Sequence, residues 1–200
     1  MALRVLVACE FSGIVRDAFI AAGHDAVSCD LLPSERPGPH IVGDAIEAAN
    51  SGPWDLMIAH PPCTYLSRAG ARWWKVPGRH ELAEEAAAFV RMLWDAPIPR
   101  VAIENPIGML NRLWRYPDQT IEPWQFGEPY TKRTCLWLRG VPPLLSTLIV
   151  EERTAWLPSN VGAGRRKGQR SQRGIAKTAT DASRTFPGIA AAMASQWGAA

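Results

Sequence analysis

The sequence lacks two features that would point to a membrane or a metal-binding protein. It has no apolar run long enough to cross a lipid bilayer. Its four cysteines, Cys9, Cys29, Cys63 and Cys135, are far apart and form no Cys-x-x-Cys pair, so no zinc site or other metal site is expected. The N-terminal apolar segment at 3–8 is too short for a signal peptide and indicates a first strand. We therefore expect reduced thiols and a cytoplasmic protein.

The sequence also has little net charge, but that charge is unevenly distributed. The 200 residues carry a formal net charge of +3, and their 47% hydrophobic content suits one domain with its own core. A stretch without acidic residues contains the basic side chains Arg165, Arg166, Lys167, Arg170, Arg173 and Lys177. It is either a phosphate-backbone contact or a solvated loop. Trp73 and Trp74 lie in a polar setting, where they either stack on a base or pack.

Residues 3–30 have the pattern of a strand, a helix and a second strand. The apolar run at 3–8 is followed by Gly13, a helical pattern and a second apolar run that ends in Asp30. This order is typical of a nucleotide-binding βαβ unit, in which the glycine admits the cofactor and the acid accepts ribose hydroxyls. Asp44 ends a third short strand, where it either contacts an adenine amino group or caps the next helix.

A cysteine follows the apolar run at 54–58, which indicates a buried strand. Between them stand Pro61 and Pro62, which end the strand and stiffen the turn because they fix φ and supply no N–H. Cys63 is thereby expected at the carboxyl edge of a parallel sheet, where open α/β folds bind ligands. The thiol is either a nucleophile or a small buried hydrophobic group.

A glutamate and an asparagine occupy the carboxyl end of the next predicted strand. Glu104 and Asn105 would lie on the same rim as Cys63, and Lys132 and Arg133 are expected to enter it. Burial beside an apolar strand end should raise the pKa of Glu104, which would let it donate a proton near neutral pH. The alternative is an ordinary acid ahead of a helix.

These motifs resemble those of the AdoMet-dependent DNA cytosine-C5 methyltransferases, in the short form found in phages and prophages. Residues 10–14 resemble the family's Phe-x-Gly cofactor loop, and Pro62-Cys63 with Ser67 resembles its Pro-Cys-x-x-x-Ser turn. Glu104-Asn105 resembles its Glu-Asn pair. The match runs through most of residues 3–140, with a weaker one at 185–197.

The chain departs from the family pattern in three regions. Val15-Arg16 stands where a glycine pair is usual, and residues 130–134 carry only part of the Gln-x-Arg-x-Arg pattern. The segment between Leu138 and Thr185 is far shorter than the usual target-recognition domain, which favours a short target site.

The resemblance implies a Rossmann-like class I methyltransferase fold: an α/β protein with a mostly parallel twisted sheet and helices on both faces. It implies a catalytic core at 1–140, a basic DNA-contact region at 141–184 and a C-terminal helix at 185–200 that packs back on the core. The implied cofactor is S-adenosyl-L-methionine (AdoMet), and the implied partner is double-stranded DNA in a bacterial host or a phage-infected cell. No metal is implied, and a monomer is favoured.

The resemblance also assigns roles to residues. The implied cofactor-binding residues are Glu10, Phe11, Ser12, Gly13, Asp30, Leu31, Asp44 and Pro61. The implied catalytic residues are Cys63, Glu104, Asn105, Lys132 and Arg133. The implied DNA contacts are Ser67, Trp73, Trp74, Arg165, Arg166, Lys167, Arg170 and Arg173.

In the implied mechanism, Cys63 attacks C6 of a flipped-out cytosine as a thiolate, and Lys132 or Arg133 depresses the pKa of that thiol. Glu104 protonates or hydrogen-bonds N3, and C5 then takes the methyl group. Three alternatives stay open: an amino-methyltransferase, C5 chemistry on RNA or a free nucleotide, and a non-catalytic nucleic-acid-binding protein on a methyltransferase scaffold.

Overall fold

The structure is a computed structural model that describes residues 1–68, 74–156 and 183–199. Among these residues it has a seven-stranded sheet in the order β3-β2-β1-β4-β5-β8-β6 and a small sheet of β7 and β9. The strands are β1 (Arg4–Ala8), β2 (Asp25–Asp30), β3 (His40–Val42), β4 (Leu56–Ala59), β5 (Arg100–Pro106), β6 (Gln119–Ile121), β7 (Tyr130–Thr131), β8 (Thr134–Arg139) and β9 (Thr154–Ala155). The helices are α1 (Ile14–Ala21), α2 (Ala45–Ser51), α3 (Arg79–Trp94), α4 (Leu110–Leu113) and α5 (Pro187–Trp197), with a 3₁₀ turn at Pro123–Gln125.

The large sheet is mostly parallel. Strands β1 to β5 pair in parallel, whereas β8 runs antiparallel to both of its neighbours, β5 and β6. Parallel strands need covered faces, which explains why the central strands β1 and β4 are almost continuously apolar and buried. The predicted Rossmann-like α/β fold is confirmed.

Helices cover both faces of this sheet. On one face, α2 and α3 pack on inward side chains such as Leu6, Met57 and Ile103. On the other face, α1 and α5 pack on the alternate side chains of the same strands, such as Val7 and Ile58. The alternation follows from the two-residue period of a strand. The C-terminal helix therefore lies beside α1 on the sheet.

Glu104 and Asn105 lie at the carboxyl end of their strand, as predicted: both belong to β5 and pair with Leu136 and Cys135 of β8. The helix predicted after them is only the short α4, because the segment before it crosses over to the Cys63 turn.

The strand order reverses between β1 and β4, since β2 and β3 extend the sheet to one side and β5 to the other. Open α/β sheets bind ligands in the crevice at such a point, beyond the carboxyl ends of the strands. In the part of the chain that the structure describes, no helix is long and apolar enough to span a membrane.

Candidate active site

The turn that carries Cys63 is fixed at both ends by hydrogen bonds. After the cysteine, the backbone N–H groups of Leu66 and Ser67 donate to the Cys63 carbonyl oxygen at 3.0 and 2.8 Å. Before it, the Asn105 side-chain Nδ2 donates to the Pro61 carbonyl oxygen at 2.8 Å, and both residues are buried. Asn105 therefore joins the cysteine turn directly to β5, which also carries Glu104.

A second connection joins the two motifs further along the chain. Met109 N donates to Leu66 O at 2.7 Å, and Arg68 N donates to Ile107 O at 3.1 Å. We call residues 66–68 with 107–109 the strap. A Cβ on Gly108 would lie 1.8 Å from the Leu66 oxygen, so a glycine is required there. Ser67, a predicted DNA contact, is half-buried and bridges to Gly108.

Glu104 is paired with a histidine. The His60 Nδ1 lies 3.0 Å from Glu104 Oε2, and the two side chains are only 9% and 14% exposed. Burial acts to raise the pKa of Glu104, but the hydrogen bond and charge of His60, together with Lys132, outweigh it. The net pKa of Glu104 is lowered, so the prediction of a raised value is wrong. Burial alone would raise this pKa, and the sequence does not reveal that His60 is the partner of Glu104.

The pKa of the Cys63 thiol is raised, not depressed. Burial is the largest cause, and the charge of Glu104 adds to it, while Lys132 and the turn's backbone hydrogen bond act the other way. Lys132 thus lowers the pKa of the thiol, as predicted, but burial and the charge of Glu104 outweigh it. The prediction of a depressed thiol pKa is wrong for this state of the protein, which has a neutral thiol beside an ionised carboxylate.

The two basic candidates occupy different places. Lys132 Nζ lies 3.5 Å from the Arg184 carbonyl oxygen and 5.7 Å from the centre of the Phe186 ring. Phe186 packs with Tyr130 and Trp156, so an aromatic cluster supports the lysine. Arg133 is 65% exposed, and its Nε lies 3.5 Å from Glu122.

The predicted cofactor loop follows β1. Gly13 has φ +70°, and a Cβ there would lie 2.6 Å from the Arg16 guanidinium, so only glycine fits without a shift. Glu10 is 4% exposed, and its carboxylate accepts the N–H groups of Val15 and Arg16 at 2.7 and 3.2 Å. It therefore anchors the N-terminus of α1 from inside the fold. Ser12 donates to the same carboxylate at 3.1 Å.

Arg16 is fully buried in α1, at a position where the resemblance had led us to expect a glycine. Its guanidinium donates to Ser28 Oγ at 3.2 Å, to Ser34 Oγ at 3.1 Å and to Pro37 O at 2.9 Å. It also forms an ion pair with Asp17 at 2.7 Å. This side chain therefore fastens the loop after β2 to the cofactor loop, a role that was missed from the sequence.

The remaining cofactor candidates lie at the carboxyl ends of β1, β2 and β3. Asp30 is half-buried, and its Oδ1 accepts Leu32 N at 3.0 Å. Leu31 is 76% exposed, and Phe11 is half-buried. Asp44 caps α2 by accepting the N–H groups of its first turn at 2.7 and 3.1 Å, which is one of the two roles considered for it.

Most of the predicted nucleic-acid contacts lie outside the described residues. These are Trp73, Arg165, Arg166, Lys167, Arg170 and Arg173. Trp74 is described and is half-buried. No cluster of three or more metal-ligating side chains occurs within residues 1–68, 74–156 and 183–199.

The contact of His60 with Glu104 was not predicted from the sequence. The available signal was a polar, titratable side chain placed between a buried strand and Pro61. Its pairing with Glu104, 44 positions away in the chain, follows from β4 and β5 being neighbours in the sheet.

No protein-family model matches the chain, and a search of curated proteins found no match either. Solved structures with a similar fold include a protein described as a DNA modification methyltransferase of an E. coli prophage (15% identity, TM-score 0.46, covering 74% of this chain and 52% of that one). Others are the Dnmt2 methyltransferase of S. pombe (16%, 0.42, 76% and 51%) and the methyltransferase EhMeth of Entamoeba histolytica (15%, 0.49, 77% and 58%). The chain thus spans between one half and three fifths of their length. The chemistry proposed below rests on the residues of the chain itself.

Proposed function

We propose that this protein transfers a methyl group from AdoMet to C5 of cytosine in double-stranded DNA, through a covalent bond between Cys63 and C6 of the base. The observation that carries the proposal is the hydrogen bond from Asn105 to Pro61, 2.8 Å long. It joins a thiol on a rigid turn to a strand that presents a carboxylate. Together they are suited to nucleophilic addition to a pyrimidine.

The cofactor candidates fit AdoMet by their chemistry. Asp30 is a carboxylate at the end of β2, where ribose hydroxyls need an acceptor, while Phe11 and Leu31 offer apolar surface to an adenine. Gly13 gives the loop after β1 its positive φ, and the Arg16 guanidinium fills the space beside its Cα. Glu10, Ser12 and Asp44 would shape this site by holding α1 and α2. Pro61 would contribute through the turn that it begins.

When bound, AdoMet would supply the methyl group. The chain's own residues carry the other tasks. The Cys63 sulfur bonds to C6, which makes C5 nucleophilic. Glu104 protonates or hydrogen-bonds N3 of the base, so that negative charge does not accumulate on the ring. After C5 has accepted the methyl group, loss of the C5 proton to water restores the C5–C6 double bond and breaks the bond to sulfur. Asn105 and Ser67 keep the turn in place.

A polymeric substrate is supported by the basic side chains between Arg165 and Lys177, since phosphate contacts depend on Lys and Arg. Flipping of the target base into the crevice would bring it to Cys63. A cytoplasmic monomer that recognises a site of two to four bases is part of the same proposal.

The test is nucleoside mass spectrometry of DNA from cells that express the chain. We expect 5-methylcytosine with the wild type, none with Cys63→Ser, and wild-type levels with Cys29→Ser, a matched control whose hydroxyl can replace the thiol contact to Gly43 O. Detection of N4-methylcytosine or N6-methyladenine instead would show that the protein methylates an amino group and would overturn the proposal. Detection of 5-methylcytosine in RNA but not in DNA would show that the substrate is RNA.

A further inference from the structure

His60 occupies a fixed place between β4 and the cysteine turn. Its backbone N–H donates to Ala8 O at 2.9 Å, and its Nδ1 lies 3.0 Å from Glu104 Oε2. An ionised carboxylate can only accept, so Nδ1 carries the proton in this hydrogen bond. Among the described residues, His60 is the hydrogen-bond partner of the Glu104 side chain, and this leaves Glu104 Oε1 for another group.

A comparison within the chain shows that His60 is not an ordinary structural histidine. His40 uses both ring nitrogens, with Nδ1 2.8 Å from Ser28 Oγ and Nε2 2.9 Å from Leu32 O. His60 Nε2 is buried and has no hydrogen-bond partner within the described residues. Asn105 Oδ1, beside the same turn, is also buried without one. Buried polar atoms are nearly always paired, and seven side-chain atoms of the described residues are not. His60 Nε2 and Asn105 Oδ1 belong to residues that contact the Cys63 turn or Glu104, where a bound base would be within reach of them.

We propose that His60 is a positioning residue that holds Glu104 ionised at rest and turns its free oxygen towards the base, so that Glu104 can carry the proton of Cys63 to N3. This inference rests on the proposed function. His60 acts only through Glu104, and its hydrogen bond to Oε2 persists throughout.

The thiol proton of Cys63 reaches N3 of the base through Glu104. The Cys63 S–H proton moves to Glu104 Oε1 as the S–C6 bond forms. The C5–C6 electron pair shifts to C4–C5, and the C4–N3 pair accepts the proton from Glu104 at N3. The adduct is neutral, and Glu104 is a carboxylate again. This route suits a site whose resting state has a neutral thiol beside an ionised carboxylate.

Four titratable groups interact with Glu104. His60 directly after β4 and Lys132 before β8 act on its carboxylate, and its charge in turn acts on Cys63 on the turn and Cys135 within β8. Without His60, burial opposes ionisation of Glu104, and Lys132 is the one cation among these groups that favours it. The pKa of Glu104 should then rise.

The first experiment does not depend on any enzymatic activity. Protein labelled with ¹³C at the glutamate carboxyl carbons is titrated by NMR, and the Glu104 signal is assigned by its loss in Glu104→Gln. We expect the Glu104 midpoint to rise by about one pH unit or more in His60→Asn, which keeps a donor near the Nδ1 position but carries no charge. His80→Asn, the same change at an exposed position on α3, should leave it unmoved. An unchanged midpoint in His60→Asn would overturn the inference.

The second experiment measures methylation rates across pH with the same variants and with His60→Gln, which guards against a folding defect in one variant. We expect kcat to fall about tenfold or more with little change in KM for DNA. We also expect the acid limb of kcat/KM to move to higher pH, because ionised Glu104 must accept the thiol proton. If His60→Asn and His60→Gln both fold and the acid limb of kcat/KM stays at the wild-type pH, the role of His60 is contradicted. Absence of methylation by the wild type, with the NMR shift still present, would instead overturn the proposed function and leave the His60–Glu104 pair intact.

Discussion

At the scale of single residues, burial and the charges of neighbouring groups together set the protonation states of Cys63 and Glu104. Burial disfavours the charged form of both groups. For Cys63 the neighbouring Glu104 adds to burial and the thiol stays neutral, whereas for Glu104 the partner His60 prevails and the carboxylate is ionised. Sequence spacing predicted that the two groups share one rim, but it did not reveal which neighbour faces which atom.

Lys132 is the group that favours the thiolate. Replacing it with Met keeps much of the stem and removes the charge, so the pKa of Cys63 should rise further. The measurement is the pH dependence of iodoacetamide alkylation at Cys63, followed by peptide mass spectrometry, with Lys75→Met at an exposed position as control. An unaltered alkylation profile in Lys132→Met would show that Lys132 does not act on the thiol.

At the scale of structural elements, the sequence predicted the strands that end in reactive side chains but not the strap between them. Apolar runs and the two prolines were sufficient to place the turn after β4. The backbone hydrogen bonds between residues 66–68 and 107–109 involve no distinctive side chains, and Gly108 was their one sequence signal. The role of Arg16 was not predicted for a related reason, since a buried arginine depends on hydrogen-bond acceptors in a distant loop.

Gly108 should be intolerant of even a methyl group. In Gly108→Ala, the added Cβ would meet the Leu66 carbonyl oxygen, which is backbone and cannot move without opening the strap. We expect a loss of roughly 1–3 kcal/mol in the free energy of unfolding, measured by urea denaturation. Gly43→Ala is the matched control, because its Cβ would lie 3.7 Å from Ile41, an ordinary contact. Equal stability of the two variants would refute the close approach.

At the scale of the whole molecule, the arrangement of the sheet is what brings the site together. Glycine, acidic residues and cysteine at strand ends predicted a crevice at one edge, and the reversal of strand order between β1 and β4 supplies it. The antiparallel insertion of β8 was not predicted, because periodicity gives the strand but not its direction. That insertion pairs Leu136 with Glu104.

The stability of the molecule should depend on Glu104 in acid. Its pKa is lower in the folded state than its ordinary value of 4.5, so its ionisation stabilises the fold above that pH. This contribution is lost as the pH falls through the folded-state pKa. The difference in unfolding free energy between wild type and Glu104→Gln should therefore shrink from pH 6 to pH 3. The exposed Glu84→Gln serves as control, and a difference that grows towards acid would contradict the lowered pKa.

A covalent trap can show directly whether Cys63 is the nucleophile in methylation of cytosine at C5. Purified protein is incubated with AdoMet and duplex DNA that contains 5-fluorocytosine, whose C5 carries no proton to lose, so elimination of the sulfur is blocked. We expect a stable protein–DNA adduct whose digest carries the modified base on Cys63. We expect no adduct with Cys63→Ser. An adduct on another residue, or undiminished methylation of ordinary DNA by Cys63→Ser, would contradict this role of Cys63.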